Sequence, residues 1–277
     1  MSKIIVKIFL EVLVLGIILA SCGTNKSDDK NIEQDSQLKI EKIKIEKKSE
    51  GCEKNSLHDC AELKIEYPYL SGSKNNKAIV SINNNIKLQL LQPILDEGEY
   101  NSLDSLISAY FNEFNLVLKE TVQPVQGWQI ERIMKVKNQS AKMLAIEYSD
   151  YSYLGGAHPN SFLTYSNYNL ENGEQVSLDD CFNKDYEEQL NSIGEKIFRQ
   201  QKNLTSKSDL NSEGYWFDEN KFELNDNFAI IQNGLLFYFN AYDIAPYAMG
   251  STELIIPYSE IKQLILSDGP LSEFINN

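Results

Sequence analysis

A chain of 277 residues is too long for a miniprotein held by disulfides alone, and has the length of one compound domain or two small ones. Hydrophobic residues make up 42% and charged residues 24%, with 14 Gly and 7 Pro, which excludes collagen-like, low-complexity and wholly disordered chains. The 26 Lys+Arg against 40 Asp+Glu give a formal charge of -14, so a nucleic acid would meet repulsion in place of a basic face, and no nucleic-acid partner is expected.

In chain order, residues 1–21 read as an export signal: Lys3 and Lys7 supply a positive start, and Val12 to Ala20 form an apolar run too short to span a bilayer. The following Leu19-Ala20-Ser21-Cys22 resembles the bacterial lipobox. That resemblance implies lipid chains (palmitate among them) on Cys22, which becomes the first mature residue and the membrane anchor. Loss of Lys3, Lys7 and Glu11 with the signal leaves a charge of -15. Residues 22–37 are polar apart from Ile32 and read as a flexible tether.

Beyond the tether, Ile43 and Ile45, then Leu63, Ile65 and Tyr67, alternate with charged residues, the period of two expected of half-buried strands. Cys52 and Cys60 lie between them, in a compartment where disulfides persist, and are expected to close a cross-linked hairpin. His58 between the two invites a zinc reading, but a structural zinc needs four ligands and no other His or Cys is near in sequence. Ile79, Ile82, Ile86 and Leu90 fall at helical spacing, and a second helix carries Leu103, Leu106, Ile107, Tyr110, Phe111 and Phe114 behind a Ser102 N-cap. Segments 128–136, 141–153 and 161–170 are rich in aromatic and β-branched residues and read as a sheet region, with Asn172-Gly173 as a turn.

Tyr186, Leu190, Ile193 and Ile197 mark a further helix, and strands at 228–231 and 235–239 flank an Asn233-Gly234 turn. A strand at 254–256 and a helix with Ile261, Leu264 and Ile265 end the chain, while Cys181 reads as a buried small hydrophobe. The pattern predicts an α+β fold of antiparallel sheets with helices packed on them, in two regions, 38–155 and 156–277. The junction is placed at Gly155-Gly156-Ala157-His158-Pro159, which could also be a loop within one sheet.

Two segments carry the candidate chemistry. Asp150 to Ser161 combines Tyr151, Tyr153, Gly155, Gly156 and His158; Asn240 to Gly250 combines Tyr242, Asp243 and Tyr247. Both lie between strands, where loops on a rigid scaffold commonly carry recognition, and tyrosine offers large contact area at little entropic cost. The two are expected to meet in one binding surface. An envelope hydrolase using His158 with Asp150 or Asp243, and Ser161 as nucleophile, is the alternative; no Gly-x-Ser-x-Gly elbow supports it. No catalytic motif, metal site or cofactor is expected.

Several strings are similar to the extracytoplasmic RsiV-type domain family: YSYLGGAHPNS at 151–161, Tyr168-Asn169-Leu170 with Asn172-Gly173, 176–180, 239–250 and Ile256-Pro257-Tyr258. Its N-terminal companion region is shared with PdaC-type peptidoglycan deacetylases. The resemblance covers about residues 38–265 and implies an extracytoplasmic module, with lysozyme-like proteins or peptidoglycan glycans as partners. Sigma-factor regulation is not expected, because few residues precede the apolar run. Nor is metal-dependent deacetylation, because the chain has 2 His, His58 and His158.

Overall fold

The computed structural model describes residues 38–50, 52, 59–72, 76–95 and 98–275. The signal segment, Cys22, the tether and His58 lie outside them. Asp35–Asn277 forms one compact unit. Its elements are β1 (Lys39–Lys48), β2 (Ala61–Ser71), α1 (Asn76–Leu90), α2 (Leu103–Glu120), β3 (Trp128–Gln139), β4 (Met143–Leu154), β5 (Asn160–Asn169), α3 (Glu187–Gln201), β6 (Phe228–Ile231), β7 (Gly234–Phe239), β8 (Thr252–Pro257), and the single turns α4 (Tyr258–Ile261) and α5 (Ser272–Ile275). β1 to β5 form one sheet in sequential order, and β6 to β8 form a second.

The fold is α+β, with one departure from the antiparallel expectation: β2 and β3 are parallel. Parallel neighbours need a crossover connection, and α1 with α2 supplies it. The helical spacing of α1 buries Ile79, Ile82, Ile86 and Leu90. α2 starts where Ser102 accepts from the Ser105 amide at 3.1 Å while the Ser105 hydroxyl accepts from the Ser102 amide at 3.2 Å, satisfying two donors that have no partner inside the helix. The β1–β2 hairpin carries the Cys52–Cys60 disulfide, with Cα atoms 4.8 Å apart. Segment 155–159 is a turn between β4 and β5, paired strands of one sheet, which is the loop reading of that segment. Gly155 adopts φ +79, which a residue with a Cβ resists.

Strand alternation sorts the core into layers. Leu144, Ile146 and Tyr148 of β4 pack with α1 and α2 on one face of the first sheet, together with Ile65, Ile130 and Phe114. Ala145 and Tyr165, from the other face, meet Ala229 and Leu236 of the second sheet. The far face of that second sheet, with Phe237, Phe239, Leu254 and Ile256, packs on Leu190 and Phe198 of α3. The second sheet is therefore apolar on both faces, which explains its unbroken FAII and LLFYF runs. The β6–β7 turn is Gln232-Asn233, and Gly234 is already in β7, where a Cβ would collide with the Ile256 carbonyl. The expected helix through Ile265 stops after one turn; Ile265 instead bridges to Phe182.

Asparagine side chains join the two sheets. Asn167 donates to the Phe228 carbonyl and accepts from the Ile230 amide, both at 2.8 Å. Asn227 donates to the Leu163 carbonyl at 2.8 Å and accepts from the Tyr165 amide at 2.8 Å, and Asn240 brackets Leu163 in the same way. The outer edge of β5 thus has its backbone groups bonded by amides in place of a neighbouring strand. The opposite edge, β1, is protected differently, by exposed Lys and Glu along its length.

Candidate functional site

The β4–β5 turn and the segment after β7 meet. The rings of His158 and Tyr247 stack with centroids 6.3 Å apart, and Tyr242 lies against Tyr247 at 5.5 Å. Tyr247 is 57% exposed and Tyr242 56%, so this stack faces solvent. The local chain is built to hold it. Asp243 accepts from the Asn240 amide at 2.6 Å and closes a tight turn, while the Asn240 side chain fixes that turn to β5. Tyr242 sits at φ +73, a strained conformation for an aromatic residue. His158 Nδ1 lies 3.1 Å from the Pro159 carbonyl oxygen.

Beside the stack is a cavity of about 500 Å³, lined by Ser149, Ser161, Phe162, Tyr238, Asn240, Tyr247, Met249 and Ser251 among others. Phe162 pairs with Asp150 and packs edge-on against Tyr148, so its ring stands on the face opposite Ser149 and Ser161, while Met249 is 43% exposed. Tyr151 and Tyr153 do not line this cavity. They alternate with Ser149 along β4, so they stand on the same sheet face as its floor. Gly155 and Gly156 shape the turn and are outside the cavity. Ser149, Met249 and Ser251 lacked a sequence signal of their own: each is unremarkable locally and gains its position from the tertiary fold.

Asp150 occupies the wrong face of β4 for the hydrolase reading. It is 5% exposed and binds Arg132 Nε at 2.8 Å and the Tyr148 hydroxyl at 2.7 Å. Arg132 in turn donates to the carbonyls of Leu90 and Gln92, at 2.6 Å each, beyond the end of α1. Asp150 is the counter-ion of this buried guanidinium on the helix side, whereas Ser149 and Ser161 face the other side. The Asp150–His158–Ser161 grouping therefore does not assemble. Asp243, the other acid considered, is engaged with the Asn240 amide, and no hydrogen bond joins it to His158 among the described residues. Cys181 is fully buried and burial pushes its thiol up, which suits a packing role.

Charge divides unevenly along the chain. Residues 38–155 carry 15 Lys+Arg against 16 Asp+Glu, and residues 156–277 carry 7 against 19. Two other cavities in the second region are acidic: one holds Asp179, Asp180 and Asp226, the other Asp185, Glu187, Glu188, Glu195 and Glu223 with Lys221. Among the described residues no helix is long and apolar enough to cross a membrane.

Comparison with known proteins divides the chain in a related way. Residues 54–161 match the family model for deacetylase PdaC, and residues 179–259 match DUF3298, described as a protein of unknown function. Over 133 residues the chain is 26% identical to the peptidoglycan-N-acetylmuramic acid deacetylase PdaC of Bacillus subtilis, a match covering 47% of this chain and 28% of that protein. A crystal structure of a DUF3298 family member from Bacteroides fragilis superposes with a TM-score of 0.72 at 23% identity, covering 88% of this chain and 99% of the other. A DUF3298 family protein from Pseudomonas aeruginosa gives 0.62 at 22% identity, covering 84% and 96%. The chain thus combines a PdaC-type region with a DUF3298 region, in a fold shared with DUF3298 family structures.

Proposed function

We propose that this protein is a noncatalytic lipoprotein of the bacterial cell envelope, exposed outside the cytoplasm, whose residues 38–277 form a binding module. The observation that carries the reading is the solvent-facing His158–Tyr247–Tyr242 stack, mounted on two sheets and held by the Asn240 and Asp243 bonds. Exposed aromatic rings on a rigid scaffold are the usual anchors of recognition. The PdaC-type match supports an envelope location, since the Bacillus subtilis relative is a peptidoglycan deacetylase. Lipid on Cys22 would supply attachment.

The acidic balance of residues 156–277 favours a cationic, lysozyme-like protein as a partner through electrostatic steering; the aromatic stack favours a peptidoglycan glycan. The test is retention of lysozyme and of solubilised peptidoglycan fragments on the immobilised protein, compared with Tyr247→Ala. Retention of either, lost in the variant, is expected; retention of neither refutes the binding module. Cys22→Ala should release the protein from the membrane fraction, and its persistence there would refute the lipid anchor.

A further inference from the structure

The lining of the cavity beside Tyr247 differs from the rest of this molecular surface in one respect. In a chain with 24% charged residues, and in its most acidic region, the lining contains no Asp, Glu, Lys, Arg or His. Of the acids near in sequence, Asp150 pairs with Arg132 on the opposite face and Asp243 closes the turn after β7. Glu147 pairs with Lys137, and Glu253 stands opposite Tyr238 across β7 and β8 without lining the cavity. Two other cavities, by contrast, hold three and five acids. A cationic side chain of a partner would find its complement in the linings of those two and not in the lining of this one.

What the cavity does present is aromatic and hydroxylic. Tyr247 and Met249 offer partly exposed apolar faces. Ser149, Ser161 and Ser251 line it with hydroxyls that have no hydrogen-bond partner among the described residues, and each hydroxyl can donate and accept. Its volume of about 500 Å³ lies within the roughly 300–1,000 Å³ of small-molecule sites. Aromatic faces beside free hydroxyls, without charge, are complementary to a sugar ring, whose C–H face packs on an aromatic ring while its rim of hydroxyls seeks mixed donors and acceptors. Tyr151 and Tyr153 continue the same sheet face away from the cavity, at the alternating spacing that would follow an extended chain of such rings.

We infer that this cavity is a subsite for an uncharged hexopyranose ring of a glycan chain, stacked on Tyr247, with the serine hydroxyls bonding its rim. The inference rests on the binding-module reading and narrows its ligand at this site to a neutral saccharide. It is tested by titrating the intact protein with chitotetraose and with cellotetraose, at about 0.05 M and about 0.5 M NaCl, conditions that separate screened from unscreened attraction. Saturable binding of at least one, changed less than about twofold by salt, is expected, since no charge pair contributes. Tyr247→Ala, and independently Met249→Glu, should each weaken it by about tenfold or more while leaving the circular dichroism spectrum unchanged.

Binding that survives both substitutions, or that the higher salt abolishes, overturns the assignment. If neither saccharide binds while lysozyme is retained, the neutral-sugar subsite is wrong and the binding module stands; if nothing binds, both fall.

Discussion

The first sheet is held on its two faces by different means. Toward α1 and α2 the joint is apolar, with one buried ion pair, Arg132–Asp150, placed where the chain leaves α1. Toward the second sheet the apolar contact is small, and asparagine amides make the bonds that a strand would otherwise make. The difference teaches where specificity comes from in each. A buried guanidinium tolerates few arrangements around it, so it fixes the helices. An amide that matches one backbone donor and one acceptor fixes the register between two sheets, and with it the meeting of the His158 turn and the Tyr247 segment.

The largest effect is expected on the helix side. Arg132→Met leaves Asp150 buried without its cation and should cost about 3–5 kcal/mol in urea unfolding. The double substitution Arg132→Met with Asp150→Leu should recover part of that loss, and what remains reports the α1 carbonyls left unbonded. A single substitution costing under about 1 kcal/mol would show that the pair does not hold this joint.

On the other side, Asn167→Ala orphans the Ile230 amide and the Phe228 carbonyl and should cost about 2–4 kcal/mol. Fast amide exchange confined to β5 and β6 is the expected signature, and uniform loss across both sheets would contradict a local seam. The Cys52–Cys60 disulfide lies away from both joints and serves as a control. Replacing both cysteines by serine should lower stability by about 2–3 kcal/mol, chiefly by freeing the unfolded chain, and should leave binding at the Tyr247 surface unchanged.

The smallest expected effect separates edge from interior. Glu66, on the charged side of β2, accepts from Lys42 at 3.0 Å, and this bond holds its carboxyl below the usual 4.5 in spite of burial. A lowered folded value means the contribution is complete above the unfolded value and declines as pH falls from about 4.5 through the folded value. Glu66→Gln should therefore flatten the acid limb of the stability profile by only about 0.5 kcal/mol, measured by thermal unfolding between neutral pH and the acid range; an unaltered limb would remove Glu66 from the account.

Much of this was legible in the residues. Alternation at Leu63, Ile65 and Tyr67 marked β2, and the 79–82–86–90 spacing marked α1, because each pattern reports a face that must be buried. The disulfide and the meeting of the two aromatic segments were also foreseen. The parallel β2–β3 pair was not, because nothing local distinguishes a strand that returns through a crossover from one that returns through a hairpin. Asp150 looked like a catalytic acid because its neighbours in sequence are His158 and Ser161; alternation put it on the opposite face of the strand, beside an arginine eighteen positions away.

By itself the sequence determined the elements, the class, the export and lipidation expectations and the acidity, all of which depend on composition and short periodicities. The tertiary structure alone decided which residues line the cavity beside Tyr247. Ser149, Met249 and Ser251 carry no pattern, and the asparagines that bring them together are ordinary in sequence. Their roles arise from pairings between strands more than sixty positions apart, and such pairings are set by the register of whole sheets, a property no short window of residues contains.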